Sequence, residues 1–253
     1  DCSVMEIHGT SEDAPLNVDL ELLDSCVCIA KMPLGDVPAV FHELLRLLFF
    51  TADECERFLH ASLLNGVLSL IAAADELAPL SSQLHIDAEE WRVVRVSEGK
   101  AMGSQSMGVV ERITARLAAA NVPVLYVSTF SLDYVLIPVH ALDRAMMSLG
   151  RTAADIGGVS ACTPSACSPA HADVLPHASV VERMRDSAPV WHTHTLCVFD
   201  RSPTQTVRVA IGSRHCHTGA LLRLLFLPRA DDPEHALRAF TQTPEEISIT
   251  CGT

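Results

Sequence analysis

The hexapeptide Leu-Leu-Arg-Leu-Leu-Phe occurs twice in this chain, at Leu44–Phe49 and at Leu221–Phe226. An apolar segment that recurs this way constrains the fold strongly, because a recurring structural unit must bury the same face each time. The first copy has helical spacing: Val37, Phe41, Leu44, Leu45 and Leu48 fall on one face. Asp36 is the expected N-cap, and Pro38 lies in the first turn, where a missing N–H does no harm. Ahead of this helix, Ser25–Lys31 reads as a short buried strand. Behind it, "FLHASLLNGVLSLIAA" gives two β-like runs joined by Asn65-Gly66, a dipeptide suited to the positive φ angles of a type I′ turn. The order is strand, helix, strand, strand.

The same order then repeats. Trp91–Val96 is a strand, and Gly108–Asn121 is an amphipathic helix with Val110, Ile113 and Leu117 on its apolar face. "VPVLYVSTF" and "YVLIPV" are strands meeting at Ser131-Leu132-Asp133, and His140–Leu149 is a second helix stopped by Gly150. A third copy opens with a strand around Val207–Ile211, passes through the second hexapeptide and reaches a β-like run around Ile247–Thr250. The hexapeptide is thus the core-facing helix of a repeated βαββ unit. The expected organisation is a loose polar leader over 1–20, units over 21–90 and 91–150, a Gly/Pro/Ser/Ala-rich linker over 151–190 and a partial unit over 191–253. The expected fold class is α+β, built from ferredoxin-like βαββαβ units with antiparallel sheets and helices on one face.

Composition narrows the function. The net charge of −13 argues against binding along a nucleic-acid backbone. No apolar run approaches the roughly 18 residues of a membrane span. Nine scattered cysteines read as reduced thiols of a cytosolic protein rather than a disulfide framework. The "HTH" at His192–His194 and the "HCH" at His215–His217 have ligand-type residues, but without a CxxC or HExxH companion they read as loop histidines, so no metal site is expected. Glu89-Glu90 and Asp231-Asp232 read as solvated loop charges, and Cys26 and Cys28 alternate along a strand. No nucleophile or cofactor motif stands in its proper context. Neither enzymatic activity nor a cofactor is expected.

The residues that could hold a ligand are two turns of the 91–150 unit. The turn Gly103–Val109 ends in Gly108 and opens a helix, whose free N–H groups suit a carboxylate. The corner "STFSLD" brings Asp133, which suits a cationic group. An amino acid has both charges. The plainer reading of the same residues is a tight turn at Gly108 and a hairpin corner at Asp133.

The segments "WRVVRVSEG", "MGSQSMGVVERITARLAAANVPVLYVSTFSLDYVLIP", "LLRLLFLPR" and "TQTPEEISI" resemble ACT domains, and more closely the CASTOR family of cytosolic arginine sensors. Residues 25–148 resemble the second half of such a sensor and 207–250 the beginning of its first half, either in reversed order or as part of a longer tandem array. The resemblance implies a ligand site at Gly103, Ser106, Met107, Gly108, Val109, Thr129, Phe130 and Asp133. It also marks a departure: the family has an acidic residue where Ser106 stands and Cys where Met107 stands, which puts arginine itself in question. The implied function is a cytoplasmic amino-acid sensor with protein partners in nutrient signalling. The rivals are the regulatory ACT region of an amino-acid-metabolic enzyme such as aspartate kinase, and an ACT pair that only mediates assembly. Because one unit of the 91–150 type is present, a homodimer is expected to supply both halves of the pocket.

Overall fold

Alternation of apolar and polar residues sets the strands, and the turn residues between them set their pairing. The structure, a computed structural model, describes residues 18–50, 57–98, 109–151, 204–209, 214–226 and 237–252. In chain order the elements are β1 (Val18–Pro33), α1 (Phe41–Phe49), β2 (Leu59–Leu64), β3 (Val67–Ala72), α2 (Ala74–Leu77), β4 (His85–Glu98), α3 (Val109–Ala119), β5 (Leu125–Ser128), β6 (Asp133–Pro138), α4 (Leu142–Ser148), β7 (Thr204–Val209), α5 (Arg214–Phe226), β8 (Arg238–Gln242) and β9 (Ile247–Gly252). The βαββ order read from the sequence recurs three times, at β1, β4 and β7.

These elements form two compact units. The first contains β1 up to Cys28, β4 from Asp87, α3, β5, β6 and α4. Its strands lie in the order β5-β6-β4-β1. Val94 faces Val135 across the β4–β6 pair. With Val96 and Ile137 they are covered by Ile113 and Leu117 of α3 and Ala145 and Met146 of α4, forming one core. The other face of these strands, carrying Val93, Tyr134 and Leu136, is also buried. That explains why "YVLIP" is apolar throughout rather than alternating.

The second unit contains the rest of β1, then α1, β2, β3, α2 and the β7–β9 repeat with α5. Its strand order is β1-β3-β2-β8-β9-β7. Asn65 and Gly66 adopt φ 51° and 71°, as a type I′ hairpin requires, and β2 and β3 pair antiparallel across them. The outer edge of β2 pairs antiparallel with β8, from Leu59 opposite Gln242 to Leu63 opposite Arg238. This seam joins two repeats into one sheet. The hexapeptide helices pack behind it: Phe49 of α1 meets Phe240 of β8 edge-on at 5.8 Å, and Phe41 meets Phe226 of α5 at 6.0 Å. Buried Arg57 ties α1 to α2, donating from Nη2 to the Leu47 carbonyl at 2.7 Å and pairing through Nε with Glu76 at 2.6 Å.

Four local expectations are corrected. Asp36 is not an N-cap: it lies inside a 3-10 turn spanning Leu34–Val40 that starts directly after Pro33 and has no side-chain cap bond. Val110 is on the exposed side of α3, because Val109, Ile113 and Leu117 form the i, i+4, i+8 row that meets the core. Strand β1 is longer than Ser25–Lys31 and begins at Val18. Strand β8 is absent from the sequence reading, since its ends, Arg238 and Gln242, are buried polar residues. Gly150, with φ 70°, terminates α4 as expected.

His60 crosses the seam, with Nδ1 2.9 Å from Thr241 Oγ1. Burial of its ring lowers its pKa from 6.5 to about 4. The native state therefore takes up the proton later than the unfolded chain does. This contribution is fully present above pH 6.5 and is lost as pH falls toward about 4. The loss amounts to about 3 kcal/mol at most. His60→Gln keeps a hydrogen-bonding group but removes the titration. Denaturant unfolding of the variant is expected to show a flatter stability profile between these two pH values than the wild type. Parallel profiles would show that His60 does not titrate this way.

Candidate functional site

The corner joining β5 to β6 is built by a single threonine. Thr129 donates its N–H to the Leu132 carbonyl at 2.9 Å, and its hydroxyl donates to the same carbonyl at 2.7 Å. The Leu132 N–H lies 3.1 Å from that hydroxyl oxygen. This side-chain bonding closes the four-residue loop and fixes its register. Ser128 is consequently opposite Asp133, Val127 opposite Tyr134 and Tyr126 opposite Val135. Thr129 is buried, whereas Phe130 at the tip is 58% exposed.

Asp133 begins β6 and shares a sheet face with Val135, so it lies on the face that α3 and α4 cover. The Ser128 hydroxyl donates to its Oδ1 at 2.8 Å. Tyr126 stands two residues before Ser128 on the same face. Burial pushes the Tyr126 phenol up, and the adjacent Asp133 carboxylate pushes it further in the same direction. The phenol therefore stays a neutral donor beside the carboxylate. Among the described residues no cation pairs with Asp133. The corner presents a half-buried carboxylate oriented by the Ser128 hydroxyl, with the neutral Tyr126 phenol nearby.

Of the site residues expected from the sequence, the structure brings Thr129, Phe130 and Asp133 together at this corner. Val109 is the first residue of α3 and packs against the same core as Tyr126. Gly103, Ser106, Met107 and Gly108 lie outside the described residues. Sequence reasoning missed Ser128 and Tyr126. The signal for them was the loop length, which decides who faces Asp133 once the hairpin register is drawn.

The corner recurs in the second unit. Thr243 donates its N–H to the Glu246 carbonyl at 2.9 Å, and its hydroxyl oxygen lies 3.2 Å from the Glu246 N–H. Here the acid stands at the place of Leu132 rather than of Asp133, and it is internally paired: fully buried Glu246 meets Arg208 Nε at 2.9 Å.

Residues 88–151 match the family model described as "ACT domain". The chain is 26% identical over 145 residues to the cytosolic arginine sensor for mTORC1 subunit 1 of Bos taurus, covering 51% of this chain and 44% of that protein. It is 27% identical over 139 residues to the Homo sapiens counterpart, covering 49% and 42%. The chain thus spans less than half the length of these curated relatives. Among solved structures, the regulatory subunit of aspartate kinase from Thermus thermophilus overlaps 52% of this chain and 94% of its own, at 12% identity and a TM-score of 0.37. The aspartate kinase of Synechocystis overlaps 94% of this chain and 41% of its own, at 13% identity and a TM-score of 0.41.

Thr129→Val keeps the shape of the buried side chain and removes its loop-closing bonds. It is expected to lower unfolding free energy by about 1–2 kcal/mol, whereas Ser128→Ala, at an exposed position, should change it by less than about 0.5 kcal/mol. Chemical denaturation of both variants checks the pair. An equal cost for the two would mean that Thr129 does not close the corner.

Proposed function

We propose that this protein is a non-enzymatic amino-acid sensor that takes a basic amino acid, such as arginine, at the Asp133 corner. The observation that carries this reading is the Asp133 carboxylate. It is oriented by Ser128, lies on the helix-covered face of the sheet, and has no cation of its own among the described residues. A guanidinium or ammonium group would complete it with charge-assisted hydrogen bonds. Residues Gly103, Ser106, Met107, Gly108 and Val109 are proposed to take the ligand's carboxylate at the start of α3, and Thr129 and Phe130 to line the corner. The relatives' name, cytosolic arginine sensor for mTORC1, supports the sensor reading. With it come a cytoplasmic setting and protein partners in nutrient signalling. No helix among the described residues is long and apolar enough to cross a membrane. A homodimer pairing two copies of the 91–150 segment is the assembly we propose for the complete pocket.

Titration calorimetry of the protein with arginine, lysine and the remaining amino acids, each at about millimolar concentration, tests the reading. A basic amino acid should bind and raise apparent stability by mass action. Asp133→Ala should weaken that binding about tenfold or more, the scale of one lost hydrogen bond to a charged group, while the unfolding midpoint stays close to wild type. Absence of heat and of stabilisation with every amino acid would overturn the proposal. Undiminished affinity in the variant would move the cation site elsewhere.

A further inference from the structure

The triplet Val-Arg-Val occurs at Val94–Val96 in β4 and again at Val207–Val209 in β7. The two strands hold the same place in their repeats. Each opens a βαββ run and pairs antiparallel with the last strand of that run, Arg95 opposite Tyr134 and Arg208 opposite Ser248. Their outer edges differ. The outer edge of β4 is covered by β1. Ser97 Oγ donates to the Asp19 carbonyl at 3.4 Å, Arg95 forms an ion pair with Glu21, and Arg92 Nη2 donates to the Leu23 carbonyl at 2.9 Å. The numbers rise on one strand as they fall on the other, so β1 lies antiparallel. Behind it Trp91, Arg92, Val93 and Val94 are all buried.

On β7 the outer edge has no strand beside it among the described residues. Gln205, Thr206, Val207 and Arg208 are exposed in succession, on both faces, with Val207 at 55%. Such an edge normally carries protection: shortness, charges or proline. The other edge, β5, is only four residues long and is preceded by Pro123. Strand β7 is rich in β-branched residues, has no proline and has one charge, Arg208.

We propose that the outer edge of β7 is a docking site for an extended acidic segment of a partner polypeptide. The segment adds as an antiparallel strand and sets a carboxylate on Arg208, as β1 sets Glu21 on Arg95. Arg208 uses Nε for Glu246, and its side chain remains 53% exposed, which leaves further guanidinium N–H donors for a second acceptor. The charge argues for an acidic strand over a second copy of β7. That strand, Thr-Gln-Thr-Val-Arg-Val, has no acidic residue to meet Arg208.

The probe is a fluorescent peptide with the sequence of Val18–Leu23, the strand that covers the equivalent edge of β4. Its binding to the whole protein is read by anisotropy, and its location by hydrogen exchange. The peptide variants carry the charge test, because substituting Arg208 would leave Glu246 buried without its partner. The peptide should bind with a dissociation constant below about 1 mM. The same peptide with Glu21→Lys should bind about tenfold more weakly or worse. Exchange should slow at 204–209 and not at 125–128. No binding at that concentration, equal binding of the lysine peptide, or protection elsewhere would overturn the proposal. Sedimentation showing self-association that itself protects 204–209 would also overturn it, giving the edge to a second copy.

Discussion

A βαββ repeat cannot cover both edges of its own sheet. Its first strand pairs with its last, and the outer edges of the first and second strands stay open. Much of this structure follows from how those edges are closed. In the second unit β2 takes β8 along its open edge, so two repeats share one ladder. The shared ladder then fixes the helices: Phe49, at the end of one hexapeptide, rests on Phe240 of the other repeat's strand. In the first unit β4 takes the leading half of β1. Closing an edge converts a row of backbone donors and acceptors into paired groups, and it lets flanking side chains leave water together.

The same economy appears at the corners. Thr129 and Thr243 stand at equivalent β–β turns and close them with the same bonds, to Leu132 and to Glu246. The backbone shape is therefore a property of the repeat, and the chemistry is a property of the side chains carried on it. At one corner the acid follows the turn, half-buried and held by a hydroxyl group, and at the other it stands one place earlier, fully buried and held by an arginine. A buried carboxylate facing a guanidinium is costly to disturb. A carboxylate facing only hydroxyl groups still has capacity to accept a cation.

The repeat itself was legible because the hexapeptide fixes a burial pattern that recurs at the described positions of both copies. Leu44 and Leu221 are buried, Arg46 and Arg223 exposed, Phe49 and Phe226 buried. The hairpin at Asn65-Gly66 and the stop at Gly150 were legible because positive φ restricts the residue types. Strand β8 was hidden because hydropathy cannot distinguish a buried polar strand from a loop. The long start of β1 was hidden for a related reason: Asp19, Glu21 and Asp24 make it look like a polar leader, although Val18 and Leu22 reach the core. At the candidate site, Thr129 and Asp133 could be named from the sequence, but Ser128 and Tyr126 become visible only after pairing sets them on the face of Asp133.

The Val-Arg-Val triplets connect edge closure to corner chemistry. The arginine of each triplet finds an acid from a different source, the strand that flanks its outer edge or the corner before its inner neighbour. In the second unit it is the corner, and Arg208 pairs with Glu246. In the first unit it is the flanking strand: Glu21 of β1 holds Arg95. Asp133, opposite Val96, lies on the other face of the sheet from Arg95, and the place that Glu246 holds in the second unit is taken by Leu132 in the first. Because the first unit carries leucine at the place of Glu246, its corner offers Arg95 no acid on that face, and the strand that closes the edge of β4 supplies one instead.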